Sequence, residues 1–331
     1  MGELRGLLDS IREEYPIMDL VDVRLKEILE SRSTFVDEIN HYLLRHKGKG
    51  IRPTLVVLSA TLGPVNTQVL VDVASAVELI HLASLLHDDV IDGSGLRRGQ
   101  PTVGRRWGNL VAVLAGDYLF ASAFGLLALR QQLFALGALA NAVRAMCEGE
   151  IEQALYSWPD EPDESVYLSH IGKKTASLLA ACCEVGAHLA GGSSEQVTAL
   201  REYGLNLGYA FQIVDDLLDV LGEEEKIGKP TMLDLKRGLP TLPIIRLMQR
   251  GEDGRAVLDI VKQIDDSRTS DRSSVSLLIR NVMMETGVME ESRSEARVYA
   301  DRAINQLKQL PMPESVSEYL TRLALAVASQ I

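Results

Sequence analysis

The sequence predicts an all-α fold, and three observations predict it. Apolar residues recur at helical spacing over long runs, and no run alternates apolar with polar residues as a strand facing a core does. The hydrophobic content of 46% is rich in Leu, Ala and Val, with aromatics at only 5%, which suits helix packing better than a β-sandwich.

Taken in order, residues 1–30 read as an N-terminal helical extension. The opening MGELRGLLDSIREEYP carries acids and lacks the apolar core of a secretory signal. Residues 71–86, 109–129, 132–147, 166–190, 195–221 and 275–284 carry apolar side chains on most faces, the pattern of buried helices. Breaks fall at 48–53, 63–64, 93–101, 158–162, 191–192 and 222–243, where Gly and Pro collect. The run 110–129 has the length of a bilayer span, about 20 residues. Gly116, Asp117 and Tyr118 interrupt its middle, where a charge is costly in lipid, so a helix buried inside the protein is expected and a transmembrane segment is not. With no fixed-period repeat, low-complexity tract or persuasive linker, residues 1–331 read as a single domain.

The formal charge of -12 argues against nucleic acid as a partner, but leaves room for small phosphorylated ligands held by a few cations and metal ions. Cys147, Cys182 and Cys183 form neither a disulfide framework nor a metal-ligand spacing. Cys182 and Cys183, in an Ala/Leu-rich run, read as small buried hydrophobes in a reducing compartment.

Two acidic clusters stand out, Asp88-Asp89-Val90-Ile91-Asp92 and Asp215-Asp216-Leu217-Leu218-Asp219, each after an apolar run and before a glycine. In each DDxxD the first and last Asp share a helical face. Two carboxylates about 6 Å apart repel by about 0.7 kcal/mol in water and about 3 kcal/mol at intermediate dielectric. A helix C-terminus also disfavours anions. A single such cluster could be a solvated helix end, but two beside apolar runs call for compensation by a hard cation. Mg²⁺ fits, because it is commonly held by one or two carboxylates plus substrate phosphates. Cations lie near in sequence: Arg97-Arg98 in GSGLRRGQPT, Lys49 and Arg52 in KGKGIRP, Lys173-Lys174-Thr175, and Lys229. There is no GxxxxGK[ST] loop, so phosphate binding would not be of the nucleotide P-loop kind. His81, seven residues before Asp88, falls on the same helical stripe and reads as a ligand contact, whereas His87 lies off it and reads as structural.

In these motifs the chain resembles the trans-type polyprenyl diphosphate synthases, from about Lys47 to the carboxyl end. KGKGIRP is similar to the family's GGKRLRP, and ELIHLASLLHDDVIDGSGLRRGQPT to its first aspartate-rich region. KKTASLL, GYAFQIVDDLLDVLG and DLKRGLPTLP follow in the family's order. The resemblance implies the isoprenoid synthase fold, a helical bundle around a deep central cavity. It implies condensation of isopentenyl diphosphate with an allylic prenyl diphosphate, with three Mg²⁺ ions per site. Asp88, Asp89, Asp92, Asp215, Asp216 and Asp219 would bind these ions, and Asp88, Asp89, Asp92, Lys174 and Asp215 would carry the catalysis. Arg97, Lys174, Thr175, Gln212 and Lys229 match contacts to the allylic diphosphate, and Lys49, Arg52, His81 and Arg98 match contacts to isopentenyl diphosphate. The resemblance further implies a cytoplasmic homodimer that releases product at a membrane surface.

Two positions depart from the family's pattern. Gly50 replaces the usual Arg, at little cost while Lys49 and Arg52 remain, and Leu239 stands where many members have Lys. Ala83 and Ser84, just before the first cluster, are small where short-chain relatives place a bulky aromatic. The growing tail is therefore expected to pass deeper, towards Phe120, Phe124 and Leu127, giving a product longer than geranylgeranyl diphosphate. The second DDxxD argues against a class I terpene cyclase, whose second motif mixes Asn, Ser or Thr with Glu. Two intact clusters argue against a non-catalytic partner subunit.

Overall fold

The computed structural model of the protein describes residues 2–45, 48–155, 163–221, 239–251, 254, 272–308 and 310–330. The described elements are α1 (Gly2–Glu14), α2 (Ile17–Leu29), α3 (Thr34–Arg45), α4 (Ile51–Ser59), α5 (Thr67–Ile91), α6 (Val103–Trp107), α7 (Asn109–Leu129) and α8 (Leu133–Leu155). They continue with α9 (Glu164–Ile171), α10 (Ser177–Leu189), α11 (Ser194–Leu221), α12 (Leu242–Met248), α13 (Arg272–Glu285), α14 (Val288–Leu307) and α15 (Glu314–Ala328). The all-α expectation holds. Its one exception among the described residues is a two-residue hairpin, Leu96–Arg97 against Gln100–Pro101. Arg98 and Gly99 at its tip both have positive φ, 51° and 75°, the conformation of a tight hairpin turn. Such short strands show no alternation in sequence.

The two longest helices organise the rest. Helix α5 starts at Asn66, whose side chain accepts from the Val69 N–H, and it is buried along most of its length. It packs extensively on α7 and also on α2 and α4. Helix α11 packs on α14 and α10, with Tyr203 wholly buried and donating to the Leu320 carbonyl of α15 at 2.7 Å. Cys182 and Cys183 on α10 are fully buried, and their burial pushes the Cys183 thiol up to about 12.

Helices α5 and α7 run antiparallel, in a register fixed at both ends. Near the α5 C-terminus, the His87 ring lies over Gly116 and its Nε2 is 3.1 Å from the Val113 carbonyl. Near the N-terminus, fully buried Asp72 accepts from Arg24 of α2 (Nε, 2.6 Å), from Arg130 just beyond α7, and from Gln68 (3.2 Å). Three helices are thereby pinned by one carboxylate.

Helix α7 corrects one expectation. It was expected to be buried, yet only 33% of its apolar window is covered, against 83% for α5. Leu110, Leu114 and Leu129 of α7 and Leu133 of α8 are 57–84% exposed. A helix apolar on every face does need cover. Here one face is covered by α5, and the opposite face lies open.

Removing the Asp72 carboxylate leaves two guanidinium groups facing each other without their shared anion. Asp72→Ala is expected to destabilise the fold by about 3 kcal/mol, as for a broken buried ion pair. Urea unfolding followed by circular dichroism measures this, and a loss below about 1 kcal/mol would assign the cluster no structural weight.

Candidate active site

The first aspartate cluster closes α5. Asp88 and Asp89 lie in its last turn, and Asp92 is its C-cap, its N–H bonded to the Asp88 carbonyl at 2.7 Å. This is the negative end of the helix dipole, so the carboxylates are disfavoured by position as well as by one another. The hairpin answers part of that cost, for Arg97 Nε donates to Oδ1 of buried Asp89 at 2.8 Å. Asp88 is answered less fully. Burial pushes its carboxyl up to about 6; nearby Lys174 opposes the shift, while Glu150 and Asp92 add to it.

The second cluster occupies the last turns of α11. Asp215 is exposed, Asp219 half-buried and Asp216 buried. Asp216 is held by two neutral donors: Tyr167 Oη to Oδ2 at 2.7 Å and Gln212 Nε2 to Oδ1 at 2.8 Å. Gln212 Oε1 in turn accepts from Thr175 Oγ1 at 2.6 Å.

Between the clusters runs Gly172–Ala176, one turn of π-helix between α9 and α10. Such bulges frequently mark functional sites, because the extra residue re-aims the side chains around it. Lys174 pairs with Glu150 of α8 and approaches Gln153 Oε1 at 3.3 Å. Burial alone would lower its ammonium, but Glu150, then Asp88 and Asp92, hold it above its ordinary value. Consecutive residues thus reach towards different clusters: Lys174, paired to α8, lies in the field of Asp88 and Asp92, and Thr175 bonds to Gln212 beside Asp216.

A cationic patch borders the same α5 wall. Gly50 caps α4 with φ 70°, in the left-handed region that glycine enters without penalty. Lys49 and Arg52 flank this turn, and both lie in the field of Arg98, with Arg52 also in that of Asp88. Arg52 is pulled below its ordinary value by burial, and its Nε is buried without a hydrogen-bond partner. Arg98, at the hairpin tip, reaches Gly48, its Nη2 only 2.8 Å from where a Cβ would stand. His81 keeps a partly accessible edge but is crowded by protein; burial, then Arg52, Arg98 and Arg97, drive it well below its ordinary value, so the ring is neutral at pH 7. Lys49 is likewise lowered by burial and by Arg5 and Arg98. In a chain of net charge -12, this gathering of cations with a buried unsatisfied N–H is built for an anion.

Ala83 and Ser84 line α5 one turn below Asp88, both buried, and the Ser84 hydroxyl donates back to the His81 carbonyl at 2.9 Å, which leaves that wall small and neutral. By the α5–α7 register, Phe120 faces this level and Phe124 lies one turn deeper. Their rings stack at 6.3 Å, and Phe120 also meets His87 at 5.7 Å. Lys229 lies outside the described residues; Leu239 is half-buried. Sequence reasoning missed Tyr167, Glu150 and Arg5. Nothing in their local sequence marks them, since each acts across the fold.

No three acidic, His or Cys side chains among the described residues converge into a metal cage. The donor set nevertheless fits a hard divalent cation: carboxylate oxygens at two helix ends, with the burial of Asp88 only partly offset by Lys174 and Arg97.

The family model described as Polyprenyl synthetase matches residues 33–279. This chain belongs to the polyprenyl synthetase family. Its relatives include heptaprenyl diphosphate synthase component 2 of Geobacillus stearothermophilus, 37% identical over 295 residues, 89% of this chain and 90% of the relative. The polyprenyl synthase of Caulobacter crescentus CB15, solved with calcium and isoprenyl diphosphate, is 34% identical with a TM-score of 0.90 over 98% of each chain. The decaprenyl diphosphate synthase of Rhodobacter capsulatus is 34% identical, with a TM-score of 0.87 over 98% of this chain and 99% of that one. Helices α1 and α2 precede the residues that the polyprenyl synthetase model matches.

The raised Asp88 pKa has a definite sign. Its folded value of about 6 lies above the ordinary 3.8, so the ionised form is the strained one. In the metal-free polyprenyl synthetase this group costs stability above pH 6, and the cost is relieved as pH falls from 6 towards 3.8. Asp88→Asn is expected to be more stable than the parent at pH 7, by up to about 2 kcal/mol. That advantage should shrink as pH falls to about 5, which melting temperatures of both proteins in chelator will show. A gap that does not change with pH would refute the assignment.

Proposed function

We propose that the protein is a Mg²⁺-dependent trans-prenyltransferase that condenses isopentenyl diphosphate with an allylic prenyl diphosphate (1′-4) into a polyprenyl diphosphate longer than geranylgeranyl. The observation that carries this reading is the π-turn Gly172–Ala176, whose Lys174 lies in the field of Asp88 and Asp92 and whose Thr175 bonds to Gln212 beside Asp216, with a cationic patch near the same end of α5. Divalent ions, three in number by the family's pattern, would be held by Asp88, Asp89 and Asp92 and, from the end of α11, by Asp215, Asp216 and Asp219. When bound they supply Lewis-acid charge to the leaving diphosphate. Arg97, Lys174, Thr175 and Gln212, with Lys229 from outside the described residues, hold the allylic diphosphate. Lys49, Arg52, neutral His81 and Arg98 hold isopentenyl diphosphate, and Arg5 adds positive potential.

The allylic C–O bond breaks and its electron pair leaves with the diphosphate. The isopentenyl double bond then forms the new C–C bond, and a proton passes to the departing diphosphate. Preorganised cations stabilise that charge as it develops, and no side-chain nucleophile is needed. The tail passes small Ala83 and Ser84 towards Phe120 and Phe124. Relatives named for heptaprenyl and decaprenyl products support a long chain. We read residues 1–331 as one unit, because α1 packs on α15 and α4. Three free cysteines suit a reducing cytoplasm.

Incubation with Mg²⁺, isopentenyl diphosphate and farnesyl diphosphate should give dephosphorylated alcohols beyond C20 by chromatography, and none with chelator or without isopentenyl diphosphate. Asp88→Ala should reduce turnover by roughly 1,000-fold. A product formed without isopentenyl diphosphate would instead favour a cyclase. Ser84→Phe should shorten the products, and an unchanged distribution would remove the wall from the account of chain length.

The open apolar face of α7 and α8 supports a homodimer in which a second copy covers Leu110, Leu114, Leu129 and Leu133. Sedimentation velocity should give a dimer for the parent and a monomer for Leu114→Arg. A monomeric parent that is active alone would overturn this.

A further inference from the structure

We propose that Tyr167 is a positioning residue of the second aspartate cluster, its hydroxyl fixing the carboxylate of Asp216 so that this end of α11 presents its acids to divalent ions in one orientation. The inference rests on the functional reading above and extends it to a side chain outside every motif used so far.

The geometry carries it. Tyr167 is 6% exposed and donates to Asp216 Oδ2 at 2.7 Å, while Gln212 donates to Oδ1 at 2.8 Å. Asp216 is itself 5% exposed, so each of these bonds replaces water that cannot reach it. A buried carboxylate that loses one of two such donors is left under-solvated, and its rotamer is no longer fixed. Gln212 cannot do the work alone, because it sits four residues before Asp216 on the same helix and moves with it. Tyr167 ties the cluster to another element, α9.

That element is firmly held. Helix α9 begins at Asp163, which accepts from the Ser165 N–H at 2.7 Å. Its first residue, Glu164, accepts two hydrogen bonds from Arg246 of α12, at 3.0 and 3.3 Å, and Arg246 also reaches Glu295 of α14 at 3.4 Å. Arg246 is largely buried, which makes this three-helix clamp stiffer than a surface pair. Tyr167, one turn along α9, therefore reaches Asp216 from a fixed base. The same helix runs into the π-turn that carries Lys174 and Thr175, and Thr175 closes the loop through Gln212. Partners of this kind, one bond removed from a metal site, typically change metal affinity by about 10- to 100-fold when removed.

The decisive variant is Tyr167→Phe, which keeps the ring and deletes the hydroxyl. Binding of Mn²⁺ by the purified protein with inorganic pyrophosphate, followed by electron paramagnetic resonance, is expected to weaken by about tenfold. The Mg²⁺ concentration for half-maximal turnover should rise in parallel, with KM for isopentenyl diphosphate unchanged. Tyr167→Leu separates hydroxyl from packing: if Phe behaves as the parent and only Leu is impaired, the ring matters and the proposal falls. Equal Mn²⁺ binding by parent and Tyr167→Phe also overturns it, as does a uniform loss in turnover and both substrate KM values. These outcomes differ from failure of the functional reading, in which the parent itself would show no metal-dependent condensation.

Discussion

Everything in this structure turns on electrostatic repulsion held in place across a cleft. Helix α5 ends in one set of carboxylates and α11 in another, and in each set one aspartate, Asp89 or Asp216, is buried where water cannot serve it. Unfavourable charge is tolerable in a fold when a ligand is going to neutralise it, and the burden on Asp88 measures how incompletely the protein does so alone. Its own compensations are partial and directional. Arg97 serves Asp89, Lys174 serves the α5 end, and Tyr167 and Gln212 donate to Asp216.

The cationic patch is the mirror image of this arrangement. Lys49, Arg52 and Arg98 repel one another as the acids do, and His81 escapes the same field by remaining neutral. Opposite fields on adjoining parts of one cleft can orient a molecule with an anionic head, and two such heads can be kept apart if one is bridged by metal and the other is held by guanidinium. The charge asymmetry between the two regions is therefore built into the fold itself.

Much of this was legible in the sequence because it is local. The apolar runs ending in DDxxD lie where α5 and α11 end, and Arg97, Arg98, Lys49 and Arg52 lie close in sequence to elements that bring them to the site. What was not legible is tertiary. The π-turn at Gly172–Ala176 reads in sequence as uninterrupted helix, and only packing against Thr175's partner on α11 reveals the extra residue. Glu150 and Tyr167 are ordinary helical residues until the fold sets them opposite Lys174 and Asp216. The exposed side of α7 was misread for a related reason: uniform apolarity does not tell how much of a helix the rest of the chain covers.

The clamp at the other end of the α5–α7 seam has a consequence of its own. Between Asp88 and Asp72 lie about 24 Å of helix at 1.5 Å per residue, and the seam ends at two guanidinium groups gripping a carboxylate. Hydrocarbon pressing on that end would have to strip ions of their partners, a far steeper demand than parting aliphatic side chains. The seam is thus oil for most of its length and locked by salt at its far end, so the two helices part there least readily.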